Sequence, residues 1–266
     1  MQLDIYQVNA FTAEPFKGNP AGVCITQQPL PASLMLNIAK EMAISETAFL
    51  SLNDSRLRWF TPQVEVALCG HGTLATVNVL DELGLLGDEG EFTFHTLSGE
   101  LSAKKVGARI SMDFPLYPPL PSSAMSTERL AALGLRSDDI EFYGEVEGGK
   151  DFLVLKSEEC LHHLTPNFNA LLESDGRAVI ATAQSSRSDV DFIARYFAPW
   201  VGVNEDPVTG SAYCALAPYW AEKLGKCSLV GYQDSERGGY VGMMVSSERI
   251  ELCGQALTFI RGTIDV

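Results

Sequence analysis

The sequence predicts an α+β fold of two pseudo-symmetric domains, each a curved, mostly antiparallel sheet or barrel around one central helix. Three observations carry this. The strings RWFTP (58–62) and RYFAP (195–199) each read as a strand end, and after seven and ten intervening residues, respectively, stand Gly70 and Gly210, each opening a helical run. Both runs are rich in apolar residues, and the first is apolar nearly all round, which demands burial. Short segments of strand character joined by tight turns then follow in each half: EFTFHTL, GELSAKKV and ARISMDF, then CSLVGYQ, YVGMMVS and RIELCG.

Taken in chain order, residues Ala32 to Met42 read as a helix and TAFLSL (47–52) as an apolar strand. The first glycine-led helix sets Leu74, Val77, Leu80 and Leu83 at a three-residue step beside Ala75 and Val79, with Gly84 at the C-terminal cap position. Alternation at Phe92, Phe94 and Thr96 marks a half-buried strand, and Gly107 a turn. Four prolines in FPLYPPLPSS (114–123) interrupt any regular element and read as a linker between domains 1–116 and 117–254. IEFYGEVEGGKDFLVLKS (140–157) reads as a hairpin turning at Gly148-Gly149. The second helix carries Tyr213, Leu216 and Trp220 with Cys214 and Ala217, ends at Gly225, and contains Pro218, which predicts a kink.

Composition narrows the function. A chain of 266 residues with 46% hydrophobic content is globular. No apolar run approaches the roughly 18 residues of a membrane span, and MQLDIYQVNAF lacks the basic start of a signal peptide, so no membrane partner and a cytoplasmic location are expected. Six cysteines without a C-x-x-C pair predict reduced thiols, mostly filling the core. A net charge of -15 with no basic cluster argues against nucleic acid. An anionic substrate would then be held by backbone amides and helix dipoles, and two helix starts facing a cleft between domains would supply both.

VNAFTAEPFKGNPAGVC (8–24), MAISETAFL (42–50), RWFTPQVEVALCGHGTLA (58–75) and NEDPVTGSAYCALAPYW (204–220), with a closing ELCGQALTFIRGTI, resemble the phenazine biosynthesis-like (PhzF) isomerase family. That family shares its two-lobed fold with diaminopimelate epimerase and proline racemase. The resemblance implies an N-terminal domain completed by a C-terminal strand at 255–266 and a homodimer. It also implies a small carboxylate substrate processed with no metal or organic cofactor. Glu46 is the implied base, with His71, Asp206 and Ser211 facing the substrate, Asn19 lining the cleft, and backbone amides around Gly70 to Gly72 and Gly210 to Ser211 holding a carboxylate.

Each residue also has a plainer reading. Glu46 at a strand start is either solvent-facing or held beside apolar walls, where desolvation raises its pKa toward the range of a useful base. His71 near a helix start, where the dipole disfavours imidazolium, is expected neutral, as a substrate-orienting or purely structural residue. A Cys69/His71 metal site has too few ligands. Asp206 before Pro207 suits a turn, Ser211 a helix cap, and Gly70 and Gly210 tight turns. In the related epimerases two opposed cysteines act on both faces of a stereocentre; the matching positions here are Cys69 and Thr209, which leaves one thiol. A single base moving a proton on one face is therefore expected. An epimerase using Glu46 with Cys69 and a non-catalytic metabolite-binding protein are the alternatives.

Overall fold

Residues 71–80 of the helix that begins at Gly70 are all buried, and this governs the first half of the chain. The computed structural model describes residues 1–87 and 89–266. Contacts divide the chain into two units, Met1–Asp113 with Glu251–Val266, and Phe114–Ile250. The first contains β1 (Gln2–Ala10), β2 (Asn19–Thr26), α1 (Ala32–Met42), β3 (Glu46–Ser51), β4 (Arg56–Phe60), β5 (Glu65–Val66), α2 (Gly70–Glu82), β6 (Glu91–Thr96), β7 (Gly99–Val106), most of β8 (Arg109–Pro115) and the closing strand β18 (Ala256–Asp265).

In this unit β18, β1 and β2 are antiparallel neighbours, and β2 runs parallel to β3 by way of α1. β3 is antiparallel to β4, β4 parallel to β6 by way of α2, and β6, β7 and β8 form a meander. Helix α2 touches β18, β1, β2, β3 and β7. Laid flat, β18 and β7 would stand about 29 Å apart, six strand spacings of about 4.8 Å. A helix with its side chains is only about 10–12 Å wide. One helix reaches both strands because the sheet wraps around it. On the other face α1 packs Met35, Ile38 and Ala39 against Leu3, Ile5, Cys24, Phe49 and Phe60. Since alternate residues of a strand face opposite ways, Phe49 goes to α1 while Ala48 and Leu50 go to α2. Leu83 falls outside the predicted apolar stripe: the helix stops at Glu82 and this side chain is 45% exposed.

The second unit contains β9 (Leu120–Pro121), α3 (Thr127–Leu133), β10 (Ile140–Val146), β11 (Lys150–Leu155), α4 (Glu158–His162), α5 (Phe168–Leu171), β12 (Ala178–Gln184), β13 (Phe192–Ala198), β14 (Val203–Glu205), α6 (Gly210–Leu224), β15 (Ser228–Gln233), β16 (Gly239–Val245) and the start of β17 (Arg249–Gly254). Its pairing repeats that of the first: β10 antiparallel to β11, β11 parallel to β12, β12 antiparallel to β13, β13 parallel to β15, and β15 antiparallel to β16. Helix α6 packs on β15 and β16, stacks Trp220 on Phe192 of β13, and sets Tyr219 against Phe152 of β11. α3, α4 and α5 cover the other face with Leu130, Leu133, Leu161 and Leu171. Covered on both sides, β11 and β12 are buried almost continuously rather than at alternate residues.

The duplicated strings make duplicated corners. Arg58 grips Glu65 through Nε and Nη2 at 2.7 and 2.6 Å, and Arg195 grips Glu205 the same way at 2.7 and 2.9 Å. Each guanidinium also lies over a ring two residues on, Phe60 at 5.1 Å and Phe197 at 4.9 Å. In both units this clamp fixes the short strand that precedes the buried helix.

The proline-rich segment is more ordered than the sequence suggests. Leu120 and Pro121 pair with the edge of β10, where a missing N–H costs nothing. Pro218 inside α6 removes the donor that would meet the Cys214 carbonyl, and the Tyr117 N–H supplies it instead at 2.9 Å. Tyr117→Pro should therefore lower stability by about 1–3 kcal/mol, the cost of an unmet buried carbonyl. The loss should shrink in a Pro218→Ala background, where the helix regains its own donor. Urea unfolding of the two single variants and the double variant checks this, and strict additivity would contradict it.

Candidate active site

Glu46 is the first residue of β3 and shares the face of Ala48 and Leu50, so strand alternation turns it toward α2. His71 is the second residue of α2. The two meet with Glu46 Oε2 3.2 Å from His71 Nε2, the imidazole nearly enclosed and the carboxylate about one-fifth exposed. Ser45 Oγ lies 3.4 Å from the same nitrogen and 3.5 Å from Asn19 Oδ1, at the start of β2. Cys69 occupies the N-cap of α2, where its Sγ accepts the Gly72 N–H at 3.3 Å and stands 3.5 Å from His71 Nδ1. Asn19, Ser45, Glu46, Cys69, Gly70, His71 and Gly72 thus form one polar corner at the mouth of an apolar helix.

Gly72 has a packing reason of its own. A Cβ there would stand 2.8 Å from Cδ1 of Trp59 on β4, so the absent side chain lets the indole lie against the helix start. Its amide is given to Cys69 and the Thr73 amide to the Cys69 carbonyl. Of the amides expected around Gly70 to Gly72, those of Gly70 and His71, the first two of the helix, are left with no acceptor within it.

The charge states differ from the sequence expectation. Burial pushes Glu46 up, but hydrogen bonds from His71 and Ser45 and the imidazolium charge outweigh it, and the carboxyl lies below its ordinary value. Burial works against a charged His71, yet its contacts with Cys69 and Glu46 lift it well above the ordinary imidazole value. The helix dipole, which predicted a neutral ring, is outweighed because the carboxylate lies within 3.2 Å in a nearly closed site. Burial keeps Cys69 a neutral thiol, against the opposing pull of His71 and the Gly72 amide. The corner is thus a carboxylate and an imidazolium with a thiol beside them.

In the second unit Asp206 accepts a hydrogen bond from the Thr209 hydroxyl. Gln233 clamps this turn, its Nε2 donating to the Asp206 carbonyl at 2.7 Å and its Oε1 accepting from the Thr209 N–H at 2.9 Å. Thr209, not Ser211, is the N-cap of α6, so the capping reading of Ser211 does not hold; Ser211 is exposed in the first turn beside Gly210. Sequence reasoning missed Ser45 and Gln233. Ser45 stood next to Glu46 in a motif already singled out, whereas Gln233 carries no local signal and arrives only through the crossover from α6 to β15.

All six cysteines are free, but only Cys24, Cys69 and Cys214 are buried, and Cys227 is exposed, so the core-filling expectation holds for half of them. Among the described residues no helix is long and apolar enough to cross a membrane.

Comparison with known proteins agrees with this architecture. The profile of the phenazine biosynthesis-like protein family matches residues 8–262. A protein of Halalkalibacterium halodurans named as an uncharacterized isomerase is 44% identical over 99% of both chains. A PhzF-family crystal structure from Enterococcus faecalis superposes with a TM-score of 0.92 at 40% identity, covering 100% of both chains. A hydroxyproline epimerase from Agrobacterium vitis shares the fold, with a TM-score of 0.63 at 13% identity over 99% of this chain and 92% of its own. The fold is thus diaminopimelate epimerase-like, and the chain belongs to the phenazine biosynthesis-like (PhzF) family of isomerases.

Proposed function

We propose that this protein is a cofactor-independent isomerase that moves a proton by general acid/base catalysis on a small carboxylate-bearing metabolite. The reaction would be similar to isomerisation of trans-2,3-dihydro-3-hydroxyanthranilate. The carrying observation is the 3.2 Å contact of Glu46 with His71 at the start of a buried helix. Glu46 is ionised at neutral pH and so holds the basic form before substrate arrives. It takes a proton from a carbon beside an electron-withdrawing group, the electron pair shifts along the unsaturated system, and the proton returns to another atom on the same face. His71 orients the carboxylate and, as imidazolium, balances charge that develops on the substrate. The Gly70 and His71 amides and the dipole of α2 attract the substrate carboxylate in an otherwise acidic protein. Asp206 is a further catalytic group, and Asn19, Gly210 and Ser211 act in binding, as the family resemblance implies.

Two observations favour a single base over a two-base epimerase. The Cys69 thiol is pushed up by burial, and the Thr209 hydroxyl at the matching helix start is engaged with Asp206. Cys69 does more than pack, since it caps α2 and touches His71.

A panel of small unsaturated carboxylic acids in heavy water identifies substrates by deuterium uptake. On a substrate so found, Glu46→Gln should lower exchange by about 10²–10⁴-fold, the usual contribution of a general base. Cys69→Ser should keep the rate within about tenfold, because serine is a strong N-cap and supplies the acceptor for Gly72. Native exchange in Glu46→Gln would end the single-base reading.

The pH profile of kcat/KM provides a separate check. Its acid limb should fall below 4.5, the ordinary glutamate value, and its alkaline limb above 6.5, the ordinary histidine value, because the ion pair lowers the one and raises the other. An acid limb at pH 6 or above would mean that Glu46 works as a desolvated, uncompensated carboxyl.

A further inference from the structure

The sequence offered Cys69 and His71 as a two-ligand pair. The fold adds a third group: the Glu46 carboxylate, the Cys69 Sγ and a His71 ring nitrogen all lie within 4.8 Å of one another. Among the described residues this is the one such grouping of histidine, cysteine and acidic side chains. We propose that Glu46, Cys69 and His71 form a three-ligand site for a thiophilic divalent cation of the zinc class, whose occupancy withdraws Glu46 from proton transfer.

Geometry supports it. A tetrahedral ion bonded at about 2.3 Å to sulfur and about 2.0–2.1 Å to nitrogen and oxygen holds sulfur about 3.6 Å from nitrogen, and nitrogen about 3.3 Å from oxygen. His71 Nε2 stands 3.2 Å from Glu46 Oε2 and 3.9 Å from Cys69 Sγ, which lies nearer Nδ1 at 3.5 Å, and the ligand atoms fall within 4.8 Å of one another, so the Cys69 and Glu46 side chains turn about the ring by roughly 1–2 Å to complete three corners of the tetrahedron. One thiolate, one imidazole and one carboxylate suit zinc in preference to magnesium or calcium, which take oxygen ligands. Three protein ligands leave the fourth position open to solvent or to a ligand carboxylate. The ligands are anchored by the fold: Cys69 and His71 are fixed by the first turn of α2, and Glu46 by the first pair of β3, opposite Ala21. Entry is on the Glu46 side, the least covered of the three.

The withdrawal of Glu46 rests on the proposed function, whereas the cation site itself does not, and its test reads binding rather than turnover. Metal-free full-length protein is titrated with Co(II) and followed by the thiolate-to-cobalt charge-transfer absorption, then with Zn(II) in competition. The wild type should take up one equivalent of Co(II) with that band, and Zn(II) should displace it. Cys69→Ser should abolish the band although the five other cysteines remain. His71→Asn and Glu46→Gln should each weaken Zn(II) by more than about 100-fold, beyond the loss of an outer hydrogen-bond partner. Circular dichroism confirms that each variant is folded, and Glu46→Gln, nearly isosteric, stands in should either helix variant unfold. Absence of the band in the wild type, its persistence in Cys69→Ser, or unchanged Zn(II) affinity in Glu46→Gln would overturn the proposal.

Discussion

A helix that is apolar on every side cannot rest against a flat sheet, and the rest of the molecule follows from that constraint. With residues 71–80 of α2 buried, the strands of the first unit must close around it, and the parallel crossovers through α1 and α2 bring this about. An enclosed helix has one place where polar chemistry can gather, its end. Its first N–H groups lack partners within the helix, its dipole is positive there, and the starts of neighbouring strands deliver side chains to it. Asn19 and Glu46 are the first residues of β2 and β3, and Cys69, Gly70 and His71 open α2.

Within that corner the short-range ion pair outweighs both burial and the helix dipole. Burial alone would favour a neutral carboxyl and a neutral ring, yet each group supplies the counter-charge that the other needs. The pairing keeps Glu46 in its basic form at neutral pH while holding it in one orientation. The thiol beside it stays neutral because its nearest partners, a ring nitrogen and one amide, do not repay its loss of solvent.

The two units keep one scaffold and different chemistry. The Arg58–Glu65 and Arg195–Glu205 clamps, with their rings, occupy equivalent places before the two helices. Register against those clamps sets Glu46 equivalent to Ala178, while the helix starts set Cys69 equivalent to Thr209 and His71 to Ser211. The carboxylate, the thiol and the imidazole of this cluster thus have no counterparts at the equivalent positions of the second unit. The second has a turn held by Asp206, Thr209 and Gln233.

Much of this was legible in the chain itself. Ala32 to Met42, the glycine starts of α2 and α6, the left-handed end of α6 at Gly225 and the turn at Gly148-Gly149 follow from spacing and backbone preference, which act between residues close in sequence. The motif around Glu46 and His71 was equally plain. Its charge state was not, because two groups 25 residues apart acquire shifted pKa values only when the fold encloses them together, and burial and Coulomb energy depend on distance in space. For the same reason the Cys69 and His71 pair showed only two metal-ligating groups until the fold set Glu46 beside it, and Gln233 had no signal at all. Local preference determined the elements; long-range packing decided which polar groups meet and, through their mutual charge, what state they hold.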